Sequence, residues 1–294
     1  MNIPEMLSLI LIGFILRRVI KSERFFEGLR FLVNEVLFAL FVFGNVASKN
    51  LEYLLRIKLV FLYVFLVIGI SLSSSFFYSR LFVKDRKWMG ALMVLSSYPN
   101  TAALGFPIAS LFLKDITPAI LYSTTNSLII LPIVTFIAAH FSSEKASIKE
   151  SFKKALRFPP TLANLLALSL VVAGIRLPDW FLNPIKTVGW MNIPLLLIYF
   201  GSRISLGKFS PRRLAEVATF RSIIPFLFVF LTLRNAEREI FYAVLVEASM
   251  PPAIAANAIL AQYRLKAEEA ISVTFVWTLI IIAFFSALNL VMNG

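Results

Sequence analysis

Two of the apolar runs in this chain are broken by proline near their centres. The first reads Ser96-Ser97-Tyr98-Pro99-Asn100-Thr101-Ala102-Ala103-Leu104-Gly105-Phe106-Pro107. The second reads Glu247-Ala248-Ser249-Met250-Pro251-Pro252-Ala253-Ile254-Ala255-Ala256-Asn257. Proline removes a backbone donor, and its ring collides with the carbonyl one turn earlier. Each run is therefore expected to form two half-helices around an unwound centre. In hydrocarbon an unpaired backbone group costs several kcal/mol, so unwound backbone survives only inside protein or beside a wet cavity. The breaks thus require other helices packed around them.

The chain supplies those helices. It is 59% hydrophobic, with a mean hydropathy of +0.83, whereas a soluble domain runs about 45–50% apolar. Its apolar stretches approach the ~20 residues needed to cross a bilayer. The expected fold is an all-α polytopic membrane protein with ten spans, at 3–19, 30–47, 57–78, 88–112, 117–139, 160–176, 184–205, 213–233, 239–263 and 269–291. The first run is read as a membrane helix and not as a secretion signal, because Arg17, Arg18 and Lys21 follow it instead of preceding it.

Net charge is +13. The basic residues lie between the apolar runs, which points to positive-inside loops and not to nucleic acid. Loops after the odd-numbered spans hold twenty of them, and the other loops hold eight. That asymmetry places both termini outside and the 140–159 linker in the cytoplasm. Residues 1–139 then form a first five-helix repeat and 160–294 a second. With an odd number of spans per half, the second half enters from the opposite side, as an inverted repeat. Asn34 and Gly44 in span 2 are echoed by Asn192 and Gly201 in span 7, and Pro99 by Pro251. The polar linker reads as an amphipathic surface helix.

Paired broken helices at corresponding positions mark the binding site of a secondary carrier. Half-helix N-termini carry partial positive charge and attract anions. Residues near Thr101 to Gly105 and Ala253 to Ala256 are candidates to hold a carboxylate beside Pro99, Pro251 and Pro252. Asn100 and Asn257 would add side-chain donors and acceptors. Against this stands the reading of proline as a simple kink. Asn126, with Tyr122 one turn away, either faces substrate or bonds neighbouring helices. Glu247 is the leading ion-coupling candidate, for a proton or sodium, because a carboxyl this deep is costly unless paired or functional. Arg221 either pairs with Glu247, attracts substrate, or snorkels toward the cytoplasmic face. Glu35 is a weaker coupling candidate. No cysteine is present, His140 stands alone, and no metal-ligand spacing, phosphate loop or nucleophile elbow occurs. No cofactor and no enzymatic activity are expected.

Asn100-Thr101-Ala102-Ala103-Leu104-Gly105-Phe106-Pro107 resembles the signature of the auxin efflux carrier family, which includes the plant PIN proteins. Arg157-Phe158-Pro159-Pro160-Thr161-Leu162-Ala163-Asn164 resembles the start of that family's second repeat. Glu247-Ala248-Ser249-Met250-Pro251-Pro252, followed by Ala261-Gln262-Tyr263, resembles its ninth span. The resemblance implies ten spans, crossed broken helices 4 and 9, and an elevator-like efflux carrier for small organic anions in the cell membrane. It is compatible with a homodimer. Two departures bear on substrate identity. About twenty residues join the halves where plant members carry a large cytoplasmic domain, and Pro-Pro stands where Pro-Asn would mirror the first break. A sodium- or proton-coupled symporter or antiporter shares this design; a channel or receptor is the rival from another class.

Overall fold

The computed structural model describes residues 3–142, 147–204 and 210–293. Lys145 and Lys208, the centre of the expected linker, and the last residue of the seventh expected span lie outside the described residues. Among the described residues every regular element is helical. In order these are α1 (Ile3–Val19), α2 (Glu23–Ala47), α3 (Leu51–Arg56), α4 (Lys58–Phe82), α5 (Arg86–Ser97), α6 (Thr101–Phe112) and α7 (Thr117–Phe141). Then follow α8 (Ile148–Arg157), α9 (Pro159–Val172), α10 (Asp179–Trp190), α11 (Asn192–Ser202), α12 (Pro211–Leu233), α13 (Arg238–Ser249), α14 (Ile254–Gln262) and α15 (Ala267–Asn293). The helices α2, α4, α7, α12 and α15 are long and apolar enough to cross a membrane; α6 and α9 are shorter and apolar. The chain is thus an all-helical, multi-spanning membrane protein.

Two expected spans end differently. The sixth stops at Val172 instead of 176, and Gly174 leaves it with a positive φ of 70°, a conformation glycine adopts without steric cost. The seventh divides into α10 and α11 at Met191. Pro194 explains the break: its ring clashes with the carbonyl of Trp190, the residue four positions earlier. In the linker, α8 begins with Ser147 accepting from the Glu150 amide at 3.2 Å and ends on Lys154 and Arg157. A serine N-cap and basic residues in the last turn suit a short helix.

The helices sort by their packing. One group is α1 along α11, with α2 along α9 and α10. These helices approach closely through reciprocal glycines. A Cβ at Gly13 would strike the Ile198 carbonyl, and one at Gly201 the Ile10 carbonyl. Gly44 and Gly189 serve α2 and α10 in the same way, against Lys186 and Phe41. Without water to drive helices together, close backbone approach supplies the attraction in a membrane. The other group packs α5 on α4 and α7, and α13 on α12 and α7.

Three stretches widen to π-helix: Leu32–Leu37 in α2, Thr101–Gly105 in α6 and Thr219–Ile223 in α12. Pro107 and Pro225 follow two of them and cannot donate to the carbonyls of Ala103 and Arg221. In α2 the π stretch takes up one extra residue. That matches the spacing of Asn34 to Gly44, longer by one than Asn192 to Gly201. The Asn192 amide meets this stretch, donating to the Val33 carbonyl at 2.6 Å.

Between the membrane segments, Asp115 joins the α6–α7 turn to the α2–α3 turn. It accepts from Lys49 (2.6 Å), the Tyr53 hydroxyl (2.8 Å), and the hydroxyl (2.6 Å) and amide (3.0 Å) of Thr117. Burial alone would raise its carboxyl pKa. The donors, Lys49 first, outweigh burial and hold it at about 2, against an ordinary 3.8. A carboxylate depressed in the folded state stabilises fully above its unfolded pKa and loses that contribution as pH falls through the folded value. Asp115→Asn is therefore expected to lower stability by roughly 1–2 kcal/mol at neutral pH. In thermal melts the gap from wild type should close between about pH 4 and pH 2; a constant gap would show that charge plays no part.

Candidate functional site

The two breaks meet. Tyr98 and Met250 each precede a proline and are extended, at φ −107°, ψ 93° and φ −60°, ψ 146°, as the proline ring requires of its predecessor. The unwound residues pair as a two-bond antiparallel bridge. The Asn100 amide donates to the Pro251 carbonyl and the Ala253 amide to the Tyr98 carbonyl, both at 2.8 Å, with Pro99 opposite Pro252. Each break thereby satisfies backbone groups that proline freed in the other. Pro99, Asn100, Pro251 and Pro252 are all buried.

Four half-helices converge on this crossing. α5 and α13 point their C-termini at it, and α6 and α14 start from it. The C-terminal carbonyls are taken by Arg221, which is fully buried. Its Nη1 donates to Ser96 (2.9 Å), its Nη2 to Ala248 (2.5 Å) and its Nε to Met250 (3.1 Å). Two readings drawn from sequence are corrected here. Arg221 does not snorkel, because its guanidinium is fully buried and bonded to three backbone carbonyls inside the protein. Nor does it pair with Glu247, because converging backbone carbonyls offer it three acceptors at once.

Glu247 is also fully buried, and neither of its carboxyl oxygens has a hydrogen-bond partner. It lies against Gly105: a Cβ there would sit 2.7 Å from the carboxyl carbon. Glycine at 105 lets the carboxyl take the space of a side chain; any larger residue would push it aside. The start of α6 is tied to α7 by a 2.7 Å bond between the Thr101 and Ser123 hydroxyls. The start of α14 is tied to α15 by Thr274 donating to Asn257 Oδ1 at 3.2 Å.

Further buried polar atoms on the broken helices and on α7 lack a hydrogen-bond partner. They include Asn100 Nδ2, the Tyr122 hydroxyl, both amide atoms of Asn126 and the Ser96 hydroxyl, all buried. Tyr122 lies within electrostatic reach of both Glu247 and Arg221. Asn126 follows it by one turn on the same face of α7. Buried polar groups are nearly always bonded, so this concentration makes the crossing a candidate place for a polar guest. At the starts of the second half-helices, Ala102, Ala103 and Ile254 are half-buried and Ala255 is exposed, so both N-termini reach the protein surface.

Glu35 stands apart. It is half-buried in the π stretch of α2, with Arg30 its charged neighbour, and no hydrogen bond joins it to the crossing among the described residues. The structure also brings forward residues the sequence reading passed over. Asn164 donates to the Thr124 hydroxyl at 2.9 Å, linking α9 to α7. Buried Glu216 accepts from Tyr78 (3.0 Å), Trp88 (2.7 Å) and Arg212 (3.0 Å) at the opposite end of the bundle from Asp115. An acidic residue five positions before Arg221 in the same apolar run was the available signal for Glu216.

The family described as membrane transport protein matches residues 1–289. A protein of Methanocaldococcus jannaschii, described as an uncharacterized transporter, is 25% identical over 261 residues, covering 81% of this chain and 80% of its own. With a match of that extent, the chain belongs to the membrane transport protein family of auxin efflux-like carriers, and it is a multi-pass membrane transporter.

Proposed function

We propose that the protein is a secondary carrier that exports small organic anions across the cell membrane by an elevator-type movement. The single observation that carries this reading is the crossing of two broken helices with their C-termini already neutralised. Each helix end carries about half an elementary charge. Arg221 offsets the two negative ends. The two positive ends, at Thr101 and Ile254, together amount to about one charge, which suits one carboxylate. Asn100, Asn126 and Asn257 would orient that carboxylate, with Gly105 accommodating the Glu247 carboxyl at the start of α6 and Pro99, Pro251 and Pro252 holding the breaks open.

The packing supports a ten-span inverted repeat divided at residues 140–159. The contact of α1 with α11 is the counterpart of α9 with α2, and α4 with α5 that of α12 with α13. The α1, α2, α9, α10 and α11 group would be the scaffold, and the crossing with its flanking helices the moving unit. Basic loops favour a cytoplasmic linker and external termini. Alternating access needs two packings of similar energy, which an inverted repeat supplies. Export follows the family resemblance. Glu247 is the coupling residue in this reading. Ionised, it cancels the positive charge left at the crossing; protonated, it leaves that charge for the anion. Proton and anion then reinforce each other's binding by linkage.

A thermal-shift panel tests the anion reading. Indole-acetate, malate, malonate, aromatic carboxylates and bile acids are each offered to the purified protein. At least one carboxylate should raise the melting temperature by mass action, and Asn100→Ala or Asn126→Ala should reduce that rise. A rise that neither variant changes would move the site away from the crossing, and a flat panel would count against organic anions as the substrate class.

A further inference from the structure

Arg221 sits where carriers of this geometry bind inorganic cations. Half-helix C-termini and unwound carbonyls are the groups that coordinate sodium or protons in broken-helix transporters. Here the carbonyls of Ser96, Ala248 and Met250 meet on one point, and the guanidinium occupies it at 2.9, 2.5 and 3.1 Å. Ser96 and Ala248 lie in the last turns of α5 and α13, where backbone carbonyls have no donor from their own helix. The oxygens therefore come from both broken helices, so one side chain binds the two breaks together. A guanidinium keeps its charge and presents several N–H donors in a rigid plane. A second cation at this point would meet a full positive charge within a few ångströms, and a dry interior screens that repulsion poorly.

We propose that Arg221 is a resident, covalently tethered cation that fills the carbonyl cage an alkali ion would otherwise take, so that the carrier works without sodium. The inference rests on reading the crossing as the centre of a carrier, and it settles the coupling ion within that reading. The π stretch Thr219–Ile223 gives it a structural basis, since the widened turn belongs to α12 and is packed against α5 and α13. Glu247 is the other charged group facing the crossing and Tyr122 the nearby phenol. Neither is bonded to Arg221, so the cage is closed by backbone alone.

The experiment compares melting temperatures of the full-length protein in sodium chloride and in choline chloride at equal ionic strength. Wild type should melt alike in both. Arg221→Ala empties the cage and should become sodium-responsive, with a saturable rise of roughly 5 °C. Recovery of this variant only when it is purified in sodium would be the same result in stronger form. Arg221→Lys keeps a tethered charge and should fold and remain indifferent to sodium. A saturable, sodium-specific rise in wild type would overturn the proposal. So would an Arg221→Ala protein that folds and melts identically in every salt. If Arg221→Ala is recovered in neither salt, the wild-type and Arg221→Lys comparisons decide. No transported anion enters these measurements, so a flat anion panel and a failed cation test point to different errors.

Discussion

Glu247→Gln is expected to fold as wild type does and to lose the pH dependence of anion binding. The carboxyl is fully buried with neither oxygen bonded, so no ion pair or hydrogen bond is lost on neutralising it. Gln has nearly the same shape, and the space beside Gly105 still accepts it. The charge is what changes. Two unit charges about 8 Å apart, at an effective dielectric of about 20, interact by about 2 kcal/mol, or roughly thirtyfold in affinity. In wild type, anion binding should therefore tighten as pH falls and Glu247 takes a proton. The glutamine variant should bind at every pH as wild type does at its acidic limit. The charged or phenolic group within electrostatic reach of Glu247 is Tyr122 from α7; the Arg221 guanidinium is engaged with the carbonyls of Ser96, Ala248 and Met250. Titrating the anion-induced melting shift from pH 5 to pH 8 in both proteins measures the effect. A profile that the substitution leaves unchanged would remove Glu247 as the coupling residue.

Gly201→Ala should be a severely damaging single methyl addition. The new Cβ would run into the Ile10 carbonyl oxygen of α1, which is backbone and has no rotamer to escape into. The two helices must separate along their length, and the facing contact of Gly13 with the Ile198 carbonyl opens with them. Overpacking of this kind costs about 1–3 kcal/mol, and in a membrane the lost attraction is the dispersion of closely packed backbones. Gly13→Ala should behave alike. The double variant should cost less than the sum, because the first substitution has already parted the helices. Gly69→Ala is the control, since nothing lies within 4 Å of the position its Cβ would take. Thermal unfolding in detergent compares the four. Equal melting of Gly201→Ala and Gly69→Ala would show that α1 and α11 do not depend on this approach.

Much of this arrangement was legible before any coordinates. Apolar length acts locally, so the multi-spanning helical character could be read from the sequence. Proline acts locally too. Tyr98-Pro99 and Met250-Pro251 announce where helices stop, because the ring excludes the helical conformation of the residue before it. The Asn100 to Pro107 motif carried the family. The break at Met191 was also within reach, since Pro194 acts by the same rule, although the sequence reading ran the seventh span through it.

Partners were the part that could not be read. Arg221 is separated from the Ser96 carbonyl it binds by 125 positions. Its acceptors are backbone atoms, which every residue possesses and which leave no mark in a sequence. Composition suggested a pairing of Arg221 with Glu247, since opposite charges are what a sequence makes visible. The fold chose otherwise because three carbonyls with no intrahelical donor needed a cation more than one carboxyl did. The sequence alone determined that this chain spans membranes, that two of its apolar runs break at Pro99 and Pro251, and which family it belongs to, because each follows from local chemistry. Only the tertiary structure decided that the breaks bond to each other, that Arg221 binds both and that Glu247 is left without a partner, because those outcomes depend on which backbone groups remain unpaired once the helices have packed.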